Sequence, residues 1–203
     1  MVDWPFLPPD QQPVLQAVLR LAQTCEYEVN HTLQVTYLAV RLFDDLQPLH
    51  NLGQVERSWL IFAAILHDIG WIEGWKEHHK VTLRIILTTP MLQFSNKERL
   101  IIGSIARYHR KSLPSIKHDH FAALLTEERE KVKILAGMLR LADALDHSHQ
   151  QRLREIRCKT GAKKISICCT VNQDAAEEKE AVQEKSDLLE RSLKRTILFE
   201  GLV

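Results

Sequence analysis

Over roughly the first 150 residues, apolar positions recur at helical spacing. In "QPVLQAVLRLAQTC" they fall at Val14, Leu15, Val18, Leu19 and Ala22, the rhythm of a helix with one apolar stripe. A second helix is expected from near Asn30, a side chain suited to an N-cap, through "HTLQVTYLAVRLFDDL" to a stop before Pro48. The third runs from about Gln54 through the apolar block Leu60 to Leu66 and ends at Gly70, a residue suited to a left-handed C-terminal position. A fourth covers "EHHKVTLRIILTT" and ends before Pro90. The fifth opens at Ser95, with Glu98 three residues later as a capping box, and runs to about His109. A short sixth lies around "HFAALL". A long seventh covers "EEREKVKILAGMLRLADALDHSH", with an acidic first turn and Thr126 as its cap.

The rhythm changes after about residue 150. "LREIRCKT" and "KKISICCTV" have the alternating, β-branched look of strands, joined by a turn at Thr160-Gly161-Ala162. A charged helix follows with apolar residues at Val182, Leu188, Leu189 and Leu193, and "ILFEGLV" reads as a third strand. The expected fold is mainly α: a helical domain over 1–150, then a small α+β (β-β-α-β) lobe over 151–203.

Composition narrows the class. The 203 residues carry a formal net charge of +1 and 45% hydrophobic content, which suits a globular protein with a substantial core. A general nucleic-acid binder would show a basic bias, which is absent. No apolar run approaches the roughly 20 residues needed to cross a bilayer, and "MVDWPFLPPDQQP" has no signal-like basic and apolar segments. A cytoplasmic location, without membrane association, is therefore expected. Cys25, Cys158, Cys168 and Cys169 form no CxxC pair and are read as reduced thiols.

The ten histidines carry the chemistry. In "AAILHDIGWIEG" an apolar helix ends on His67 and Asp68. At a last turn, a short carboxylate and a longer imidazole can converge on one point, and a divalent metal accepts such a mixed nitrogen and oxygen set. Further ligands must come from other helices. His31 opens the second. Asp143 sits in the seventh among Leu139, Leu141, Ala142 and Leu145, where a carboxylate needs a partner. Basic residues cluster nearby: Arg110 and Lys111 beside His109, and Arg140 one turn before Asp143. Guanidinium groups match phosphate geometry, so these three are the phosphate-binding candidates. Each feature also has a plainer role. His67-Asp68 could be a helix-end ion pair, Asp143 could pair with Arg140, and Lys111 could answer a helix dipole. His50, His118, His120, His147 and His149 read as surface residues, with His147 the one considered for support of Asp143. Trp59, Trp71 and Trp75 read as core and lid packing.

In the order His31…His67-Asp68…Asp143, these residues resemble the HD superfamily of metal-dependent phosphohydrolases. "LHDIG", "EHHK", "IARYHRKSLP" and "LAGMLRLADALDHSH" are most similar to the C-terminal HD region of the exopolyphosphatase and guanosine pentaphosphate phosphatase family, over about residues 10–150. The resemblance implies an HD-type bundle holding one or two divalent ions (Mn, Mg, Zn or Fe). His31, His67, Asp68 and Asp143 would hold the first. His78 or His79, together with His109, would hold a second bridged by Asp68, with His78 preferred because it lies four residues before Thr82. Asp68 and His67 would then be catalytic. The family's large N-terminal actin-like module is expected to be missing here, so polyphosphate cleavage does not carry over. The glycine-lysine step of the cyclic-di-GMP-hydrolysing branch is absent, since Trp71 follows Gly70. The implied function is hydrolysis of a phosphomonoester or phosphodiester of a nucleotide or similar small metabolite. Two readings from other classes stand beside it: a non-catalytic nucleotide- or metal-sensing module, and an interaction module for a separately encoded exopolyphosphatase-like partner. A homodimer is left open.

Overall fold

A computed structural model of the chain describes residues 7, 11–171 and 174–202. Most of the segment read above as free of a signal lies outside the described residues, as does Val203 of the expected third strand. The order is α1 (Gln12–Thr24), α2 (Val29–His50), α3 (Gln54–Leu66), a short 3-10 helix (Ile69–Glu73), α4 (His78–Thr88), α5 (Asn96–Arg107), α6 (Asp119–Ala122) and α7 (Thr126–Ala144). Then come β1 (Leu153–Thr160), β2 (Lys164–Val171), α8 (Ala176–Lys185), α9 (Asp187–Leu193) and β3 (Thr196–Leu202). The molecule is mainly helical with a small three-stranded sheet near its C-terminal end.

The centre of the bundle is α3. Every residue from Ser58 to Leu66 is buried, because α2, α5 and α7 pack around this helix. A helix enclosed in this way is apolar all round rather than along a stripe. Its C-terminus therefore delivers His67 to the interior. The sheet has order β1-β2-β3, with β1–β2 antiparallel and β2–β3 parallel. The parallel step requires a crossover, which α8 and α9 supply. The helix expected after residue 174 is thus two helices, broken at Ser186. One continuous apolar cluster joins the bundle and the sheet region. Where α9 crosses α7, a side chain at Gly137 would place its Cβ 2.9 Å from the Leu189 backbone.

Four local expectations need correction. Pro48 does not stop α2, which runs on to His50 and ends at Asn51 in the left-handed region (φ 53°), whose N–H reaches the Gln47 carbonyl at 2.9 Å. One missing N–H in a last turn is a small loss. Asn30 lies inside α2, and Glu28 takes the N-cap position. Thr126 is likewise the first residue of α7, preceded by Leu125, whose N–H donates to Glu128 Oε2 at 2.8 Å. His50 is buried rather than on the surface: its Nε2 donates to the Phe43 carbonyl and its Nδ1 accepts from the Leu52 N–H, both at 2.9 Å. The capping box at Ser95 and Glu98 forms as expected.

Candidate metal centre

Three histidines owe their orientation to their own helix ends. At the end of α3, His67 Nδ1 lies 2.7 Å from the Ala64 carbonyl. After α5, His109 Nδ1 lies 2.7 Å from the Ala106 carbonyl. At the start of α4, His78 Nδ1 lies 2.9 Å from the Trp75 carbonyl. A carbonyl only accepts, so each Nδ1 carries the hydrogen and each Nε2 turns inward. His31, in the first turn of α2, is held by a carboxylate instead: its Nδ1 donates to Asp146 Oδ2 at 2.9 Å. Asp146 is itself fixed by the Gln151 N–H, 2.9 Å from its Oδ1. A carboxylate behind an imidazole is the arrangement that orients metal-ligating histidines.

The inward-facing atoms form two groups, His31-His67-Asp143 and Asp68-His78-His109, with the ligand atoms of each within 4.8 Å of one another. Asp68 spans the two. Its Oδ2 is 3.5 Å from His67 Nε2 and 4.0 Å from His31 Nε2, while its Oδ1 is 3.0 Å from His78 Nε2 and 3.4 Å from His109 Nε2. Asp143 Oδ1 closes the first group, 3.6 Å from His31 Nε2 and 4.0 Å from His67 Nε2. In the second group the two Nε2 atoms are 3.3 Å apart, and Asp68 Oδ1 is buried without a hydrogen-bond donor among the described residues. Two lone pairs and a carboxylate oxygen thus face one point, an arrangement that fits a cation. The histidines are closed to solvent, whereas the Asp68 and Asp143 side chains keep 14% and 13% of their exposure, so the cluster opens on its carboxylate side.

Burial works against ionisation of Asp68, but His67, His78 and His109 outweigh it and hold the carboxyl below its ordinary range. Burial likewise opposes the charge on Asp143, and Lys185, His31, His109 and His67 hold it well below. The histidines diverge. Burial would lower His31, yet Asp143, Asp146 and Asp68 raise it to about 10. Burial pushes His109 down to about 3 against the pull of Asp68 and Asp143.

The turn between the halves is built around Gly70. This glycine is not in a left-handed conformation, contrary to expectation; among the described glycines only Gly74 has positive φ. It is small because α4 runs against it: a Cβ there would lie 2.0 Å from the His78 carbonyl oxygen and 2.7 Å from the Thr82 nitrogen. The Thr82 hydroxyl ties the turn together, donating to the His67 carbonyl at 2.9 Å and accepting from the Gly70 N–H at 3.0 Å.

His31, His67, Asp68, Asp143, His78 and His109 are therefore brought together. His79 is not. One residue along α4 from His78, it turns about 100° away into a cleft of about 450 Å³ that Arg110 and Lys111 also line. Arg140, unlike His79, is not in that cleft: its NH1 donates to the Lys111 carbonyl at 3.4 Å and its Nε lies 3.5 Å from Asp187, so it joins α7 to a loop and to α9. His147 is exposed; the side chain that reaches Asp143 Oδ2 is Lys185, while Asp146, the neighbour of His147, holds His31. Trp59 is buried, but Trp71 and Trp75 are exposed.

Three neighbours escaped the sequence reading. Asp146 has a faint signal, the repeat Asp143-x-x-Asp146 at a helix end. His149, whose ring stacks on His31 at 3.7 Å and whose Nδ1 lies 2.7 Å from Glu28 Oε2, has none beyond its residue type. Lys185, from α8, places its Nζ 2.9 Å from Asp143 Oδ2. Nothing local in sequence ties it to a residue 42 positions earlier.

Fold and cluster together define a helical protein with two facing His/Asp groups that share one carboxylate. The family described as Ppx/GppA phosphatase, domain III, matches residues 15–195, and the chain belongs to that family. It is similar to the guanosine-5'-triphosphate,3'-diphosphate pyrophosphatase of Pseudoalteromonas atlantica strain T6c, 26% identical over 140 residues, 68% of this chain and 27% of that protein. The enzyme of the same description from Pseudoalteromonas translucida strain TAC 125 is 32% identical over 85 residues, 37% of this chain and 17% of that protein. The chain thus spans about a quarter or less of the curated relatives it matches. No helix among the described residues is long and apolar enough to cross a membrane.

Proposed function

We propose that the chain is an HD-type, metal-dependent phosphohydrolase module. It would hold two divalent ions, one between His31, His67, Asp143 and Asp68 Oδ2, the other between Asp68 Oδ1, His78 and His109. The observation that carries this reading is the division of the two Asp68 oxygens between two pairs of inward-turned imidazoles. Membership of a phosphatase family supports the reaction class. Bound divalent ions supply Lewis acidity toward a phosphoryl oxygen and lower the pKa of water to near neutrality.

The chain's own residues set the conditions for that chemistry. Backbone carbonyls fix the tautomers of His67, His78 and His109, and Asp146 orients the His31 ring, so the side chains need no rearrangement. The closed histidine side keeps bulk water out, while the carboxylate side admits a phosphate ester. Arg110 and Lys111, which follow His109 in the sequence, would offset charge on the phosphoryl group. The substrate would be a phosphomonoester or phosphodiester of a nucleotide or similar metabolite.

The experiment is a hydrolysis panel of phosphomonoesters and phosphodiesters with Mn²⁺, Mg²⁺, Zn²⁺ or Fe²⁺ added, before and after chelation. Turnover that appears with metal and disappears with chelator is the expected result. Tight metal binding with no turnover anywhere in the panel would replace this reading with a sensing role.

A further inference from the structure

The cluster is closed on its histidine side and open at Asp68 and Asp143. A phosphoryl group that reaches it must pass those two carboxylates, and like charges repel. Among the described residues, one cation other than a histidine pairs with either of them. It is Lys185, whose Nζ lies 2.9 Å from Asp143 Oδ2.

Lys185 is the last residue of α8, in the crossover between β2 and β3. A cation there also suits the helix dipole, but this ammonium reaches across to α7. The helix is held for that contact. Glu178 lies seven residues earlier, on the same face of α8, and is fully buried. Its Oε1 accepts from the Ser148 hydroxyl and from the Ser148 N–H at 3.3 Å, and its Oε2 lies 3.5 Å from Arg152 NH1. Val182, between them on that face, is also buried. A buried carboxylate is stable only with such partners, so Glu178 fixes α8 against the segment that follows α7.

The ammonium has donors to spare. A lysine carries three N–H groups, and Asp143 Oδ2 is the one partner of Lys185 among the described residues. Its side chain keeps 20% of its exposure, against 13% for Asp143. Asp143 turns its other oxygen, Oδ1, to His31 and His67, so an ion on Oδ1 does not displace the ammonium from Oδ2. Lys185 also lines a cleft of about 290 Å³ with His147, Glu177, Glu180 and Glu184. Those carboxylates repel phosphate, which confines the ammonium to a single phosphoryl group at the cluster.

We propose that Lys185 is a catalytic residue supplied by the crossover helix: anchored on Asp143 Oδ2, it donates its remaining N–H groups to an oxygen of the phosphoryl group at the His/Asp cluster. There it offsets the charge that builds on that oxygen. The proposal rests on the metal-centre reading, because the ions place the phosphoryl group.

The test is a pair of titrations on the full chain. Manganese binding is followed by electron paramagnetic resonance, and orthophosphate binding to the manganese-loaded protein by broadening of its phosphorus-31 resonance. Lys185→Met should weaken orthophosphate binding about tenfold, the worth of one charge-assisted hydrogen bond, while manganese binding holds or tightens. Lys185→Arg should keep most of the orthophosphate affinity. Lys179→Met, exposed on the same helix, should change neither. Lys185→Met should stay folded because Glu178 and Val182 still anchor α8, and Lys185→Gln carries the test if it does not. Unchanged orthophosphate affinity beside normal manganese binding overturns the proposal alone, as does a manganese-loaded wild type that leaves orthophosphate free. Joint loss of manganese and orthophosphate affinity overturns it too, since Lys185 would then only hold Asp143 in place. A wild type that binds no manganese removes the metal-centre reading, and the proposal with it.

Discussion

The two halves of the cluster are built on the same plan and supplied with different charge. The first half gathers Asp143 and one oxygen of Asp68 around His31 and His67, with Asp146 behind His31 and Lys185 on the far oxygen of Asp143. The second half has a single carboxylate oxygen, two imidazoles, and only backbone carbonyls behind them. His31 is raised to about 10 by its carboxylates, whereas His109 is pushed down to about 3 by burial. With similar donors, the half with more negative charge binds a cation more tightly. On the proposed two-ion reading, the first half would hold its ion more tightly and the second would exchange its ion more readily.

The largest expected effect falls on the residue common to both halves. Asp68→Ala should abolish hydrolysis and strip the metal while leaving the protein folded, because its carboxylate lies at a helix end and its loss opens no large core cavity. Metal content by mass spectrometry, thermal melting and hydrolysis of a generic phosphodiester check this together. A mutant that keeps metal and turnover removes the catalytic reading.

Asp146→Asn should act on the first half alone. It keeps an acceptor for His31 Nδ1–H but loses the charge, and metal affinity should fall by about 10- to 100-fold. Calorimetric titration should show the tighter binding event weakened and the weaker one unchanged. Equal loss at both halves would mean that Asp146 supports the fold rather than His31.

Gly70→Ala should do the reverse. Its new Cβ would meet the His78 carbonyl oxygen at 2.0 Å, so α4 must shift and carry His78 away from Asp68. The expected outcome is loss of the weaker binding event, with a stability cost of about 1–3 kcal/mol for the overpacked turn. Retention of both events would show that α4 accommodates the methyl elsewhere.

Lys185→Met should give the smallest change, and in the opposite direction. An ammonium 2.9 Å from Asp143 Oδ2 competes with a metal ion for that carboxylate. Its removal should tighten the first half by about fivefold, the worth of roughly 1 kcal/mol for a partly exposed charge. Manganese titration followed by electron paramagnetic resonance measures this. Weaker binding would mean that Lys185 positions Asp143 as a ligand rather than opposing the ion.

What the sequence made legible follows from where the determinants lie. The helices of the bundle carry theirs within a few residues: the stripe of α1, the fully apolar α3 and the Ser95-Glu98 box all read directly. His67 and Asp68 were conspicuous because polar residues ended a helix too apolar to lie on the surface. His78 could be preferred to His79 only through spacing and resemblance; in the structure one step of helix rotation separates them. Asp146, His149 and Lys185 were hidden because their partners, His31 and Asp143, lie 115, 118 and 42 positions away along the chain. Gly70 was found for the wrong reason. A glycine at the expected end of the third helix suggests a left-handed residue, but the determinant is the close passage of α4, which no local pattern records. Arg140 looks available for phosphate in the sequence because the Asp187 that occupies it belongs to α9, in the crossover between β2 and β3.

The central claim is that one carboxylate serves two ions, one on each oxygen. Crystals grown with Mn²⁺ and measured at the manganese absorption edge test it most directly. The account predicts two anomalous peaks about 3.5–4 Å apart, one in contact with Asp68 Oδ2 between His31 and His67, the other in contact with Asp68 Oδ1 between His78 and His109. A single peak, or two peaks of which only one touches Asp68, would contradict it.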